Sequence, residues 1–191
     1  KIYTHCKNLF IFLCLISMVY VFYLQSRNPH EQQKKDKPQE YMSSFKVTNY
    51  TVHGNVKESL FADYWEFIPH KGCSDLINPR LVVYKENGDV WNLIAAKAMA
   101  WHPAVTAKID KIDLLDGVQM HRLPLNNAIP LVVETTAVQY LPEKEVVTST
   151  EFVSMQQPGL TVSGYGMISY LDRSWIKLHE RVTTVYTPKV N

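Results

Sequence analysis

The sequence predicts an all-β, antiparallel domain preceded by a single N-terminal transmembrane helix. Three observations carry that reading. Apolar and polar residues alternate by twos through much of the last third of the chain, turn signals interrupt the alternation at short intervals, and one long uncharged run occurs, near the start. Period-two alternation places successive side chains on opposite faces of a strand, so one face can be dry and the other wet. The 191 residues, 46% of them apolar, suffice for one domain with its own core.

The uncharged run is Leu9 to Leu24, LFIFLCLISMVYVFYL. Sixteen helical residues reach ~24 Å against a hydrocarbon layer of ~30 Å, and Lys7 and Tyr3 can extend that span at the interface. A cleaved signal needs small residues near its end, yet Tyr20-Val21-Phe22-Tyr23-Leu24 is bulky. Lipidation at Cys14 would also want small residues where Phe12 and Leu13 stand. The expectation is an uncleaved anchor over 1–25, its apolar surface carried by Leu9, Phe12, Leu13, Leu15, Ile16, Val19, Phe22 and Leu24. Flanking charges oppose a translocated C-terminus, because Arg27, Lys34, Lys35 and Lys37 outnumber Lys1 and Lys7; long domains, however, translocate largely regardless of charge. Residues 26–40 are polar, with Pro29 and Pro38, and read as a flexible linker.

The β domain is expected over 41–191. Val47 to Val52 alternates before His53-Gly54-Asn55, a second strand runs through Leu60 and Trp65 to Ile68, and Pro69 ends it. Leu76 to Tyr84 reads as one strand, reversed by Asn87-Gly88 into Val90 to Ile94, the strongest hairpin signal present. Ala95 to Trp101 is alanine-rich but too short for an independent helix, so no helix is assigned. Strands follow at Ile109 to Leu115 and Val118 to His121, then Leu131 to Val138 as one strand, Val147 to Phe152, Leu160 to Ser169, and Trp175 to Thr187. In the last of these Ile176, Leu178, Val182 and Tyr186 share the dry parity, opposite Lys177, His179, Arg181 and Thr183. A loose echo of about thirty residues, strand, turn and strand, suggests stacked units in an elongated antiparallel structure.

Chemistry is hard to place on this chain. The net charge of +2 gives no electrostatic reason for a nucleic-acid partner. His70 and Cys73 have ligand-like spacing but are too few for a zinc site, and the histidines form no catalytic motif. Gly164-Tyr165-Gly166 lacks the third glycine and the helix of a dinucleotide fingerprint and reads instead as a bulge or a close backbone approach. No catalytic residue, metal or cofactor is assigned, and no phosphate-binding loop is present to hydrolyse ATP.

Four segments in order carry a resemblance: Gly88-Asp89-Val90-Trp91-Asn92-Leu93-Ile94-Ala95-Ala96, Ile112-Asp113-Leu114-Leu115-Asp116-Gly117-Val118, Thr135-Thr136-Ala137-Val138-Gln139-Tyr140-Leu141-Pro142, and Leu160-Thr161-Val162-Ser163-Gly164-Tyr165-Gly166-Met167. With the anchor and tether, the chain resembles the LptC family, the membrane-anchored periplasmic component of lipopolysaccharide export in Gram-negative bacteria. The resemblance implies a twisted antiparallel β-jellyroll open along one side, with an inner-membrane anchor associated with the ABC transporter components LptB, LptF and LptG. It also implies transfer of lipopolysaccharide to LptA through the C-terminal edge strand, here Trp175 to Thr187, whose partner-facing candidates are Trp175, Lys177, His179, Arg181, Thr183 and Val185. The chain departs from the family at Thr150-Glu151-Phe152, where a glycine is common.

An acyl chain of about a dozen carbons resists water by on the order of 10 kcal/mol and needs an apolar shelter to cross an aqueous compartment. Groove candidates, taken from parity or position beside turns, are Val47, Leu76, Trp91, Val133, Val147, Ile176, Leu178 and Tyr186. The alternative reading is a membrane-tethered β domain that docks proteins without binding lipid.

Overall fold

The computed structural model describes Met18, Tyr20 and residues 40–102, 108–123 and 129–187. Met18 and Tyr20 are helical and exposed; the remaining anchor residues and the linker lie outside the described residues. Among the described residues no helix is long and apolar enough to cross a membrane. The chain divides into two units, Lys1–Lys37 and Pro38–Asn191, and among the described residues the regular structure of the second is strand apart from one 3-10 turn at Pro69–Lys71.

Among the described residues thirteen antiparallel strands form one sheet. They are β1 (Glu40–Tyr50), β2 (Val56–Ile68), β3 (Cys73–Ile77), β4 (Arg80–Tyr84), β5 (Val90–Ile94), β6 (Lys97–Trp101), β7 (Lys111–Leu115), β8 (Val118–Leu123), β9 (Leu131–Thr135), β10 (Val138–Leu141), β11 (Val146–Gln157), β12 (Leu160–Tyr170) and β13 (Trp175–Tyr186). The pairing simplifies once β3 with β4, β5 with β6, β7 with β8 and β9 with β10 are seen as long strands, each bent at its middle. Each of these composites pairs along both halves with the next, β4 with β5 and β3 with β6, then β5 with β8 and β6 with β7, then β8 with β9 and β7 with β10. The domain is therefore one meander of long strands, folded along a crease.

Two walls result. The first contains β4, β5, β8 and β9 with the start of β2 and the end of β11; the second contains β3, β6, β7 and β10 with the end of β2 and the start of β11. Their apolar faces meet in one core that includes Leu81, Trp91, Leu93, Met120 and Val133 from the first wall and Leu76, Ile112, Leu114, Tyr140 and Val147 from the second. Beyond β11 the sheet continues through β12 to β13, and β1 flanks β2 at the other end.

The crease lies where the chain leaves ordinary strand geometry. Asn78 (φ 51°) and Asp116 (φ 63°) turn two composites, Gly166 (φ 69°) bends β12, and Ser44 (φ 56°) and Arg181 (φ 50°) bend the edge strands. Such left-handed residues and bulges redirect a strand without ending the sheet. Backbone bonds tie neighbouring bends together: Asn78 N–H donates to Ala96 O (2.9 Å), Ala95 N–H to Pro79 O (3.2 Å), and Gly117 N–H to Thr136 O (3.2 Å).

Bends correct two expected strands. Leu76–Tyr84 is broken at Asn78-Pro79, since proline has no N–H for the ladder and Asn78 takes the left-handed turn. Leu131–Val138 is broken at Thr136-Ala137, after which parity slips: Val138 points into the core with Leu131 and Val133 instead of opposite them. The same slip at Gly166 turns Met167 and Ser169 inward, at 1% and 0% exposure. Gly164 marks the close approach expected there, because a Cβ would lie 2.9 Å from Glu180 O. Ala95–Trp101 contributes strand β6, with no helix.

Candidate functional site

Opposite the crease, the hairpin turns of each wall form a rim, and the two rims face one another across the mouth of the fold. The first rim carries the turns at 51–55, 85–89 and 158–159; the second carries those at 69–72, 142–145 and 171–174. Polar side chains bridge the mouth near its middle. Glu145 of the second rim pairs with Lys57 (3.3 Å) and Lys85 of the first. Ser174 Oγ donates to Asp89 Oδ2 (2.7 Å), again rim to rim.

Just beneath, Tyr140 of β10 donates its hydroxyl to Glu58 Oε2 of β2 (2.8 Å), and Asn49 Nδ2 donates to Glu58 Oε1 (2.8 Å). Burial pushes the Tyr140 phenol far above its ordinary value, and the neighbouring Glu58 carboxyl pushes it further. The hydroxyl therefore stays a donor, and Glu58, itself buried, has both oxygens satisfied.

On either side of this bridge lies a cavity that draws on both walls. Towards β1, a cavity of about 650 Å³ is lined by Val47, Asn49, Lys57 and Glu58 on one side and by Lys108, Ile109, Pro142 and Glu143 on the other. Lys108 and Glu143 pair with each other at its border. Towards β13, a cavity of about 320 Å³ lies between Leu131, Met155, Leu160 and Val162 of the first wall and Trp175 and Ile176 of the second.

The expected groove residues divide into three groups. Leu76, Trp91, Val133 and Val147 are sealed in the core; Val47, Ile176 and Leu178 are half-buried against it, Val47 and Ile176 lining the two cavities; and Tyr186 is 73% exposed. The dry parity expected along the last strand holds for Ile176 and Leu178 and fades past the bend, where Val182 is 53% exposed. Trp175, Lys177, His179, Arg181, Thr183 and Val185 all lie exposed on β13, which is paired only with β12. β1 is likewise paired on one side only, so among the described residues the sheet has two free edges, one at each end. Arg181 also sits over the ring of Tyr165, which meets Phe152 edge-on, so the Thr150-Glu151-Phe152 departure produces an outer-face aromatic contact at a bulge.

Sequence reasoning missed the mouth-bridging residues Glu58, Lys85, Tyr140 and Glu145, and it missed Arg122. Only Arg122 left a local signal, since it shares parity with the buried Val118 and Met120.

The domain is an antiparallel β-jellyroll whose apolar walls face each other across a bridged mouth, a fold shared with a solved structure. The crystal structure of LptH, the LptA homologous periplasmic component of the conserved lipopolysaccharide transport device from Pseudomonas aeruginosa, superposes with a TM-score of 0.53 at 12% identity, covering 69% of this chain and 95% of that one. Among curated protein sequences none matches. Residues 9–187 match the family described as lipopolysaccharide-assembly, LptC-related, and the chain belongs to that family. Its role is accordingly in lipopolysaccharide transport.

Proposed function

We propose that this protein is a single-pass inner-membrane carrier whose periplasmic jellyroll receives lipopolysaccharide from the LptB, LptF and LptG transporter and delivers it to LptA. In this reading residues 1–25 anchor the chain, 26–40 tether it, and 41–191 carry the cargo. It performs no covalent chemistry, and ATP hydrolysed elsewhere supplies the energy. The observation that carries the reading is the pair of apolar walls, joined at a crease and bridged by polar side chains at the mouth. Acyl chains that enter there exchange water for branched and aromatic side chains, a gain of ~0.8 kcal/mol for each methylene. The free edges of β1 and β13 are suited to strand addition, which would continue the trough into a neighbour at either end.

Entry requires the walls to part, because Trp91 and Tyr140 fill the interior at 0% exposure. That packed interior favours a second reading, a docking scaffold that never takes lipid. A photo-crosslinking amino acid at Ile176 separates the two. Lipopolysaccharide adducts in cells are expected, together with lipopolysaccharide trapped at the inner membrane on depletion; adducts to protein alone would leave only the scaffold.

A further inference from the structure

The inward row of β8 runs Val118, Met120, Arg122. The first two are buried, and the third is an arginine on what is otherwise the dry face. Its cross-strand neighbours confirm the direction, since Arg122 stands opposite Trp91 of β5 and Leu131 of β9, both buried. Arg122 thereby borders the apolar cavity beside β13.

A guanidinium in such a place ordinarily meets a carboxylate, because desolvating an unpaired charge is costly. Among the described residues none pairs with Arg122. Its Nη2 donates to Ile129 O (3.2 Å), while its Nε is buried and has no partner. Ser174, which lines the same cavity, donates to the rim carboxylate Asp89. In register with Arg122, the fully buried Trp91 also has an indole N–H without an acceptor. The cavity thus combines apolar walls from Leu131, Met155, Leu160 and Val162, an aromatic lip at Trp175, and at its border a planar cation with no carboxylate partner among the described residues.

The geometry points to this cavity as a seat for a phosphate-bearing amphiphile, with Arg122 holding the phosphate and the apolar walls taking the first carbons of the chain. Guanidinium suits phosphate because its N–H groups match the oxygens in pairs, and it is more weakly hydrated than ammonium, so bringing it to an apolar border costs less. The inference deepens the carrier reading and rests on it for the source of the ligand, a phosphorylated lipid. It adds that cargo is gripped by its head as well as sheltered by its chains, at the β13 end of the mouth.

The test uses the full chain in nanodiscs of zwitterionic lipid, with empty discs as the blank, and follows tryptophan fluorescence on titration. The probes are octyl phosphate, octyl glucoside and inorganic phosphate; Trp175→Phe verifies that the signal arises at the cavity. Octyl phosphate should bind, and Arg122→Gln should weaken it about tenfold or more, the scale of one lost charge-assisted contact. Octyl glucoside should be unaffected by Arg122→Gln. Gln157 lines the same cavity, so Gln157→Glu, which leaves the arginine and the packing intact, should weaken octyl phosphate about threefold by placing a carboxylate near the bound anion. Arg122→Lys should fall between wild type and Arg122→Gln.

Equal octyl phosphate affinity in wild type and Arg122→Gln would overturn the assignment. Inorganic phosphate binding as tightly as octyl phosphate would overturn the amphiphile part of it. Lipopolysaccharide adducts at Ile176 alongside an indifferent Arg122→Gln would leave the carrier standing without this seat. Arg122-dependent octyl phosphate binding with no such adducts would keep the seat and remove lipopolysaccharide as its occupant.

Discussion

The crease and the mouth hold the same two walls together by opposite means. At the crease the links are short and mostly backbone to backbone or side chain to backbone: Ser149 Oγ donates to Ala137 O (2.7 Å) and Thr135 Oγ1 to Phe152 O (2.8 Å), alongside the amide bonds between neighbouring bends. At the mouth the links are side chain to side chain, between residues far apart in sequence, such as Tyr140 with Glu58 and Lys85 with Glu145. Backbone links are part of the sheet and cannot be surrendered without breaking its ladder. Of the mouth bridges, the partly solvated Lys57–Glu145 pair can be exchanged for hydration at modest net cost, whereas the buried Tyr140–Glu58 bond costs more to part. In the proposed carrier, that difference would make the crease the hinge line and the mouth the side at which the walls part.

The comparison is sharpened by perturbing each side in turn. Tyr140→Phe removes the buried donor beneath the mouth and leaves a Glu58 oxygen unsatisfied; a loss of about 3 kcal/mol is expected in chemical denaturation. A loss near zero would mean that the walls do not depend on that link. Gly164→Ala tests the crease, where the new Cβ would press on Glu180 O and Leu178, and should cost about 2 kcal/mol. Its signature is the loss of amide protection in β12 and β13 with the mouth bridges intact.

Lys57→Gln, which leaves Lys85 paired with Glu145, should cost about 1 kcal/mol or less, yet speed hydrogen exchange in the 142–145 turn and raise lipopolysaccharide crosslinking at Ile176. Slower exchange there would contradict an openable mouth. The smallest effect belongs to His102, at the second rim, whose Nε2 lies 2.9 Å from Ser74 Oγ. Burial lowers its pKa, an effect that Asp110 partly opposes. A base with a depressed folded pKa contributes its full stability above the ordinary value of ~6.5 and loses it as pH falls through the lower, folded value. His102→Gln should therefore flatten the decline of stability below pH ~6.5, measured by thermal unfolding across that range.

Much of the ladder was legible because alternation is a local property. The Asn87-Gly88 hairpin, the ends of β5, and Ile176 and Leu178 against the core all follow from neighbours in sequence. The crease was less so, for a physical reason: at Asn78 and Asp116 one left-handed residue redirects the chain, while at Thr136-Ala137 the bend comes with no positive φ at all, and in neither case does the composition of the flanking strands change. Thr136-Ala137 carries no proline or glycine to announce the bend, so β9 and β10 read as one strand. The mouth was invisible for a different reason, since Tyr140 and Glu58 stand 82 residues apart and nothing in either segment names its partner. Arg122 was within reach, as its parity with Val118 and Met120 is plain once β8 is extended to Leu123.

In the meander every long strand is bonded to its neighbours in chain order, so no segment must wait for a distant one before it can join the growing sheet. Assembly can begin at any hairpin and spread outward, as it does in arrays whose modules touch only adjacent modules. Length is then an adjustable quantity: adding or deleting one pair of bent strands would give a longer or shorter duct with the same cross-section and the same terminal seams.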